Sequence, residues 1–558
     1  MSIEADLSVL IGRALRSVAP ELGIQGDLPE PELMTPPQRQ FGDFATNVAL
    51  AISARSGRPA RDVAQAILDA MEPAPFLERA EIAGPGFINL FTTDTWMHDA
   101  LRQVVASGAS YGRAEPTGQR VQVEFVSANP TGPLTLGHAR NAAIGDATAR
   151  LLAFAGYEVE REYYFNDSGG QMDRFGASVE ARYLQLLGRP AEVPQDGYHG
   201  AYIEELARDI FREAGDSLAD LEPEQRFARL RSEGASRVLR WIEASLSRFG
   251  VRFDVYLRES ELAEKGEISA AIQRLRDAGH VYEQEGATWF RATDFGDDKD
   301  RVLVRSNGAH TYFGADCAYL IDKFSRGFDH LIYVLGADHH GDVARIKGAA
   351  KAMGYDPSRV EMLIYQWVAF LRDKEPVAMS KRAGNFITLD ELMDEVGADA
   401  TRFTLLMFSS DSSMNFDIEA VKQQSMENPV YYVQYGHARL ASILRKAADA
   451  GVVLRPAGEA DLTLLVTEPE TNLMRALAAI PDQIEAAAQA RAPHRLTHVA
   501  QDLAARFHRF YTECRVVSDD AAMTQARLWL CSATKQVIAN LLDLVGVTAP
   551  ESMERADA

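Results

Sequence analysis

Two strand patterns, each running into a glycine-rich loop and then a helix, constrain the fold of this 558-residue chain more than any other feature. In the first, Val121, Val123 and Phe125 alternate as the residues of a strand do. Residues 129–137 are rich in Pro and Gly, and a helix is expected to begin near His138. Ile144, Ala147, Leu151 and Phe154 then recur at helical spacing up to Gly156, a C-terminal stop signal. Residues 157–165 read as a strand again and close a βαβ unit. The second pattern is LIYVL (331–335), the loop GADHHG (336–341), a helical stretch to Gly354 and a strand over EMLIYQWVAF (361–370). Paired βαβ halves, separated by insertions near 170–250 and 263–311, predict an α/β fold. It is an interrupted Rossmann-type, doubly wound parallel sheet that binds its ligand at the carboxyl ends of the strands.

The flanks have a different texture. Residues 1–115 mix amphipathic helix patterns with turn-rich pieces such as FGDFATNVAL and AGPGFINLF, which predicts an α+β N-terminal domain. From about residue 425 the strand signals stop. Val430, Val433, Leu440, Ile443 and Leu444 fall on one helical face, and 495–514 and 526–546 continue the pattern. Three domains are therefore expected: 1–115, a catalytic 116–424, and an all-α 425–558. Hydrophobic residues at 46% and charged residues at 25% suit a soluble globular chain. Cys317, Cys514 and Cys531 are far apart and odd in number, which speaks against a disulfide framework or a CxxC metal site. The N-terminus lacks a basic start followed by an apolar run, and no stretch approaches the roughly 20 apolar residues of a membrane span. The expectation is a cytoplasmic protein with no membrane partner and no protein-bound metal.

Net charge pulls the other way from nucleic acid. The formal value is −22, from 80 acids and 58 bases. Residues 425–558 hold 11 Arg and 2 Lys against 16 acids, so a phosphate-binding surface there requires the arginines to gather on one face.

Two segments carry chemistry. In EFVSANPTGPLTLGHARNAAIGD (124–146) a strand feeds a Gly/Pro loop and a helix start. Free N–H groups and the helix dipole attract phosphate there, the bare backbone of Gly137 can pack against a flat base, and His138 can donate to a phosphate oxygen. A GH pair alone reads equally as a helix start with a satisfied surface histidine. In VAMSKRAGNFITLDEL (377–392) a lysine on a glycine-flanked loop can close over a triphosphate. MSKR alone reads as a solvated basic pair.

Together they resemble known signatures. TLGH is similar to the HIGH motif of class I aminoacyl-tRNA synthetases, and AMSKR to their KMSKS loop, in the right order with an insertion between. VEFVSANPTGP, NDSGGQMDRFGASVEARY, DDKDRVLVRSNGAHTYFGADCAY, GADHHGD and NPVYYVQYGHAR resemble segments of arginyl-tRNA synthetases, as do PGFINL and the C-terminal VGVTAPESM. The resemblance spans nearly the whole chain.

What it implies can be stated residue by residue. Glu259 and Asp316 match the carboxylates that receive the guanidinium fork of arginine, a geometry lysine does not share. Tyr312, four residues before Asp316, lines the same pocket. Glu124, Ser127 and Asn129 match the positions that hold the α-amino and carboxylate ends. His138 matches the second HIGH histidine and Lys381 the second KMSKS lysine. Gly137, His138, Met379, Ser380, Lys381, Asp338 and His339 are the implied ATP contacts, although His339 also reads as a buried structural histidine. Asn89 and Phe91 match the patch that meets the tRNA elbow, Phe91 reading equally as core. Tyr435 and His437 are candidates at the anticodon. Two positions depart from the family pattern: Thr135 replaces the first HIGH histidine and Ala378 the first KMSKS lysine. The implied activity is ligation of L-arginine to tRNA(Arg) with Mg-ATP as substrate, by a protein expected to be monomeric. A catalytically silent, tRNA-binding paralogue is the rival that Thr135 and Ala378 favour. A synthetase for glutamate, glutamine or cysteine would instead need a cation or zinc ligands in the pocket.

Overall fold

The computed structural model describes residues 3–36, 38–372, 374–377 and 386–553. The chain forms two compact units. One comprises residues 113–435, 484–501 and 541–558, and the other residues 1–112, 436–483 and 502–540.

The first unit is built on five parallel strands: β1 (Arg120–Glu124), β2 (Glu158–Phe165), β3 (Val255–Arg258), β4 (His330–Gly336) and β5 (Val360–Tyr365). Their order is β5-β4-β1-β2-β3, so the strand order reverses between β1 and β4. β1 and β4 lie in the middle, and most of their residues are buried; β4 reads as a short apolar run, whereas β1 alternates Val121 and Val123 with the buried polar Gln122. Helix α1 (Leu136–Phe154) follows β1, and helix α3 (Asp342–Ala352) follows β4. Helix α2 (Tyr312–Ser325) precedes β4. The carboxyl ends of β1 and β4 and the N-termini of α1 and α3 therefore border one crevice, where ligands of doubly wound sheets bind.

Helix α1 is buried on nearly every side, consistent with its alanine-rich sequence. Gly145 is required in it: a Cβ there would stand 2.2 Å from Cγ of Phe125, so the Phe125 ring lies directly on the helix backbone. Asp146, one residue on, accepts from Arg150 Nε at 2.7 Å and Arg402 Nη2 at 2.6 Å. Arg402, 1% exposed, also donates to the carbonyls of Phe249 and Val545.

The first insertion is helical, with Gly169–Leu186, Ala201–Ala214 and Pro223–Arg248. The second holds a helix, Glu267–Asp277, and three antiparallel strands, Val281–Gln284, Ala287–Phe290 and Arg301–Val304.

Two expectations are corrected. Helix α1 starts at Leu136, with Thr135 as N-cap, because His138 is already its third residue. The single strand expected over 361–370 is two strands in two sheets. β5 ends at Tyr365, and Val368–Arg372 pairs with Met414–Asp417 and Glu375–Pro376 instead. Gln366 makes the break: its N–H donates to Ser410 O at 2.8 Å and its carbonyl accepts from the buried Arg140 at 2.6 Å.

In the second unit, four antiparallel strands in the order Leu33–Met34, Phe44–Thr46, Phe87–Thr92, Leu77–Ala83 pack against the helices Ile3–Val18, Val48–Ser56 and Ala60–Asp69 around one apolar core. Helix Thr95–Ser107 packs instead on helix Glu468–Ala478. Three bonds reinforce this part of the unit: Tyr111 Oη to Leu477 O at 3.0 Å, Asn540 Nδ2 to Gly108 O at 3.0 Å, and Arg475 Nη2 to Asp43 Oδ1 at 3.0 Å. The C-terminal part of the chain is helical: Pro429–Asp449, Glu468–Ala478, Ile480–Gln489, His494–Glu513 and Ala521–Leu544.

Candidate active site

The loop after β1 is bent by two successive residues in the left-handed region, Val126 (φ 64°) and Ser127 (φ 43°). Neither is glycine, so each position is held against a backbone cost of about 1–3 kcal/mol. The holding groups are visible. Val126 N–H donates to Asn141 Oδ1 at 2.6 Å, and Ser127 N–H to Phe125 O at 2.9 Å. The Tyr163 hydroxyl accepts from Ala128 N–H at 3.0 Å and donates to Ala128 O at 2.7 Å. The bend turns Ser127 Oγ back toward Glu124 Oε1, to which it donates at 3.1 Å. Asn129 donates to Gln171 Oε1 at 2.6 Å and accepts from Asn166 N–H at 3.1 Å.

Glu124, Glu259 and Asp316 come together electrostatically. Glu259 opens the short helix after β3 and accepts from the Tyr164 hydroxyl at 2.7 Å. Burial raises the Glu259 carboxyl, the Tyr164 bond opposes this, and Asp167 adds to it. Asp316 lies on α2 with its side chain 30% exposed. Burial first, then Asp342, Glu259 and Glu124, push its carboxyl up to about 7, while Arg345 acts in the opposite sense. Arg345 Nη2 lies 3.8 Å from Asp316 Oδ2 and 2.9 Å from Asp342 Oδ1. These three carboxylates, coupled through their charges and matched only in part by Arg345 and by Lys323 at Glu124, form a site suited to a cation with several donors. Tyr312 is 59% exposed, with its hydroxyl beside Gly169.

At the start of α1, Thr135 and His138 form a capping box. Nδ1 of His138 accepts the Thr135 N–H at 3.0 Å, with Thr135 Oγ1 at 3.1 Å. An accepting Nδ1 puts the proton of the neutral ring on Nε2, which makes Nε2 the donor. Gly137 is exposed, and among the described residues a side chain there would meet only Thr135 Oγ1.

The far end of the second motif reaches the same place. Thr388 bridges Thr135, Leu136 N–H donates to Ile387 O at 3.3 Å, and Leu389 N–H to Leu134 O at 2.9 Å. Met379, Ser380 and Lys381, with Ala378 and Arg382, lie outside the described residues.

Asp338 and His339 follow β4 in a single turn of 3-10 helix. His339 has a half-exposed side chain with Nδ1 2.9 Å from Asp342 Oδ2. That bond, aided by Asp338, raises the imidazole against partial burial.

The candidate RNA contacts are not gathered in this way. Asn89 is 7% exposed within its strand, and Phe91, half-buried, carries the Arg79 guanidinium 3.6 Å over its ring. Tyr435 stacks near Tyr431 at 6.0 Å between ring centroids, and His437 is 2% exposed. Arg475, Arg491, Arg506, Arg509 and Arg527 are each paired with an acid. Among the described residues no helix is long and apolar enough to cross a membrane.

Comparison with known proteins decides the family. A model described as the class I (R) tRNA synthetase catalytic domain matches residues 100–407. The arginyl-tRNA synthetase N-terminal domain matches 5–92, and the DALR anticodon binding domain 433–553. An arginine–tRNA ligase of Moorella thermoacetica is 48% identical over 529 residues, 94% of each chain. The chain belongs to the arginyl-tRNA synthetase family. Another arginine–tRNA ligase, of Heliobacterium modesticaldum, is 45% identical over 560 residues, 99% of each chain. The solved arginyl-tRNA synthetase of Thermus thermophilus shares the fold, with a TM-score of 0.77 at 24% identity over 99% of this chain and 100% of that one.

Sequence reasoning missed several groups that this arginyl-tRNA synthetase fold places around the cleft: Asn141, Tyr164, Lys323, Asp342 and Arg345. One signal was available. Tyr312, Asp316, Tyr319 and Lys323 follow at intervals of four, three and four, one face of a helix.

Proposed function

We propose that the chain activates L-arginine with ATP and transfers it to the 3′ end of tRNA(Arg). The observation that carries this reading is the electrostatic coupling of Asp316 to Glu259 and Glu124, the latter two at the carboxyl ends of β3 and β1, together with the capped helix start at Gly137 and His138 that follows β1. Asp316 and Glu259 receive the guanidinium, with Tyr312 against it. Glu124, Ser127 and Asn129 hold the α-amino and carboxylate groups. The adenine packs over Gly137, Asp338 and His339 meet the ribose, and His138 Nε2–H and the start of α1 face the phosphates.

The substrate carboxylate oxygen attacks the α-phosphorus. A new P–O bond forms, the bond to the β-phosphate bridge breaks, and pyrophosphate leaves. The terminal ribose hydroxyl of the tRNA then attacks the arginyl carbonyl and expels AMP. No protein nucleophile takes part, so the protein contributes position and charge. Mg2+ arrives with ATP as part of the substrate, and Met379, Ser380 and Lys381 act on the departing pyrophosphate. Residues 116–424 carry this chemistry. Residues 1–115 meet the tRNA elbow, with Phe91 the accessible candidate beside the buried Asn89, and 425–558 meet the anticodon, with Tyr435 the accessible candidate near the buried His437. The protein acts in the cytoplasm as a monomer. Charging assays with each amino acid and purified tRNA test the reading: arginine alone should be attached, with pyrophosphate released. Attachment of another amino acid, or none, rejects it.

A further inference from the structure

Helix α2 carries more than the two residues that face the proposed guanidinium site. Two turns beyond Asp316, Lys323 is fully buried. Its Nζ donates to Glu124 Oε2 at 2.6 Å and lies 3.7 Å from the ring centroid of Tyr333 and 4.1 Å from that of Tyr319. The neighbouring buried acid, Glu162, is served by other groups, Arg326 and the Tyr319 hydroxyl. Glu124 thus has two side-chain donors of its own, Lys323 on Oε2 and Ser127 Oγ on Oε1 at 3.1 Å. Tyr164 stacks on Tyr319 at 4.6 Å and reaches Glu259 with its hydroxyl, so the same layer also supports the second carboxylate.

A fully buried ion pair adds little net stability, because stripping water from both charges offsets most of their attraction. It does supply orientation. The terminal torsion of a glutamate is broad, and an immobile ammonium on one oxygen narrows it. The ammonium is itself immobile, wedged between two rings on a helix fixed by its apolar core.

We propose that Lys323 is a positioning residue for arginine binding: by holding Oε2 of Glu124 it aims Oε1 at the α-ammonium group of the substrate, without touching the substrate itself. The role rests on the reading of Glu124 as an α-amino ligand.

A double-mutant cycle separates it from a purely structural role. Glu124→Gln, Lys323→Met and the double variant are compared by arginine KM, ATP KM and thermal melting. Lys323→Met should raise the arginine KM by about tenfold, the loss expected of a misplaced charge-assisted bond, with ATP KM changed less than about twofold. In the Glu124→Gln background it should add less than about twofold, because the group it acts through is already gone. Effects that multiply fully, or a folded Lys323→Met with unaltered arginine KM, overturn the proposal. An unaltered arginine KM in Glu124→Gln rejects the reading of Glu124 itself, and the role of Lys323 with it. Should Lys323→Met not fold, Lys323→Arg takes its place: it keeps the charge but displaces its centre, so arginine KM should rise while the melting temperature holds. An unchanged KM there overturns the proposal as well.

Discussion

At the proposed guanidinium site, Asp316→Ala is expected to raise the arginine KM at least about tenfold, since a charge-assisted partner worth about 1.5–3 kcal/mol is lost. ATP KM should move far less, and equal losses for both substrates would mark Asp316 as structural. The same residue predicts a pH dependence. Burial and the surrounding acids, against Arg345, push its carboxyl up to about 7. Below that pH the free site holds a neutral acid, and above it an anion that attracts a guanidinium. Arginine KM should therefore fall as pH rises through about 7, with a proton released on binding, and Asp316→Asn should flatten the profile. Direct titration of arginine binding at pH 6 and pH 8, in buffers of different ionisation heat, measures both effects. Asp316 and Glu259 could be named as candidates from the sequence because each sits inside a distinctive word. Lys323 and Tyr164 were not, because a lone lysine in a helix reads as a solvated surface charge. Only the tertiary placement of Glu124 beneath it shows why this one is buried.

Among the elements, the stretches on either side of residues 378–385 are both anchored. Val377 N–H donates to Phe370 O at 2.9 Å on one side, and Ile387 to Leu389 lie along Leu134 to Leu136 on the other. The second anchor is the cap of α1, which ties the end of the second motif to the Thr135–His138 pair. Lys381→Ala should accordingly lower the rate of adenylate formation much more than it weakens ATP binding. Single-turnover activation, compared with the Kd of ATP, distinguishes this from a binding role: a raised Kd with an intact rate would contradict it. The helices and the parallel strands were largely readable from periodicity. Two boundaries were not. Thr135 reads as part of a motif, and its second role as an N-cap appears only once His138 is seen to close the box. The apolar run through Gln366 and Trp367 carries no local stop signal, since the break is imposed from afar by Arg140 and Ser410.

On the scale of the whole molecule, the departures at Thr135 and Ala378 leave the ATP site with fewer fixed cations than the family pattern. Charge stabilisation there then needs help, and a bound acceptor end can supply it if tRNA binds the catalytic state more tightly. Arginine-dependent ATP–pyrophosphate exchange is therefore expected to be negligible until cognate tRNA is added. Robust exchange by RNA-free protein with arginine and ATP alone would falsify this. That segments from both ends of the chain share the second compact unit escaped sequence reasoning altogether, because periodicity reports which face a helix buries but not which distant segment covers it. The apolar face of helix Thr95–Ser107, with Met97, Leu101 and Val104, continues into Tyr111, and its cover includes residues near 477 and 540. This has a bearing on how the chain is made. Translation proceeds from the N-terminus at about 5–20 residues per second, so that face waits roughly 20 to 90 s for the residues that cover it. The strands and helices before residue 92 possess a core of their own and can fold on emergence. The stretch just after them cannot, and during synthesis it is the segment on which a chaperone would be expected to act.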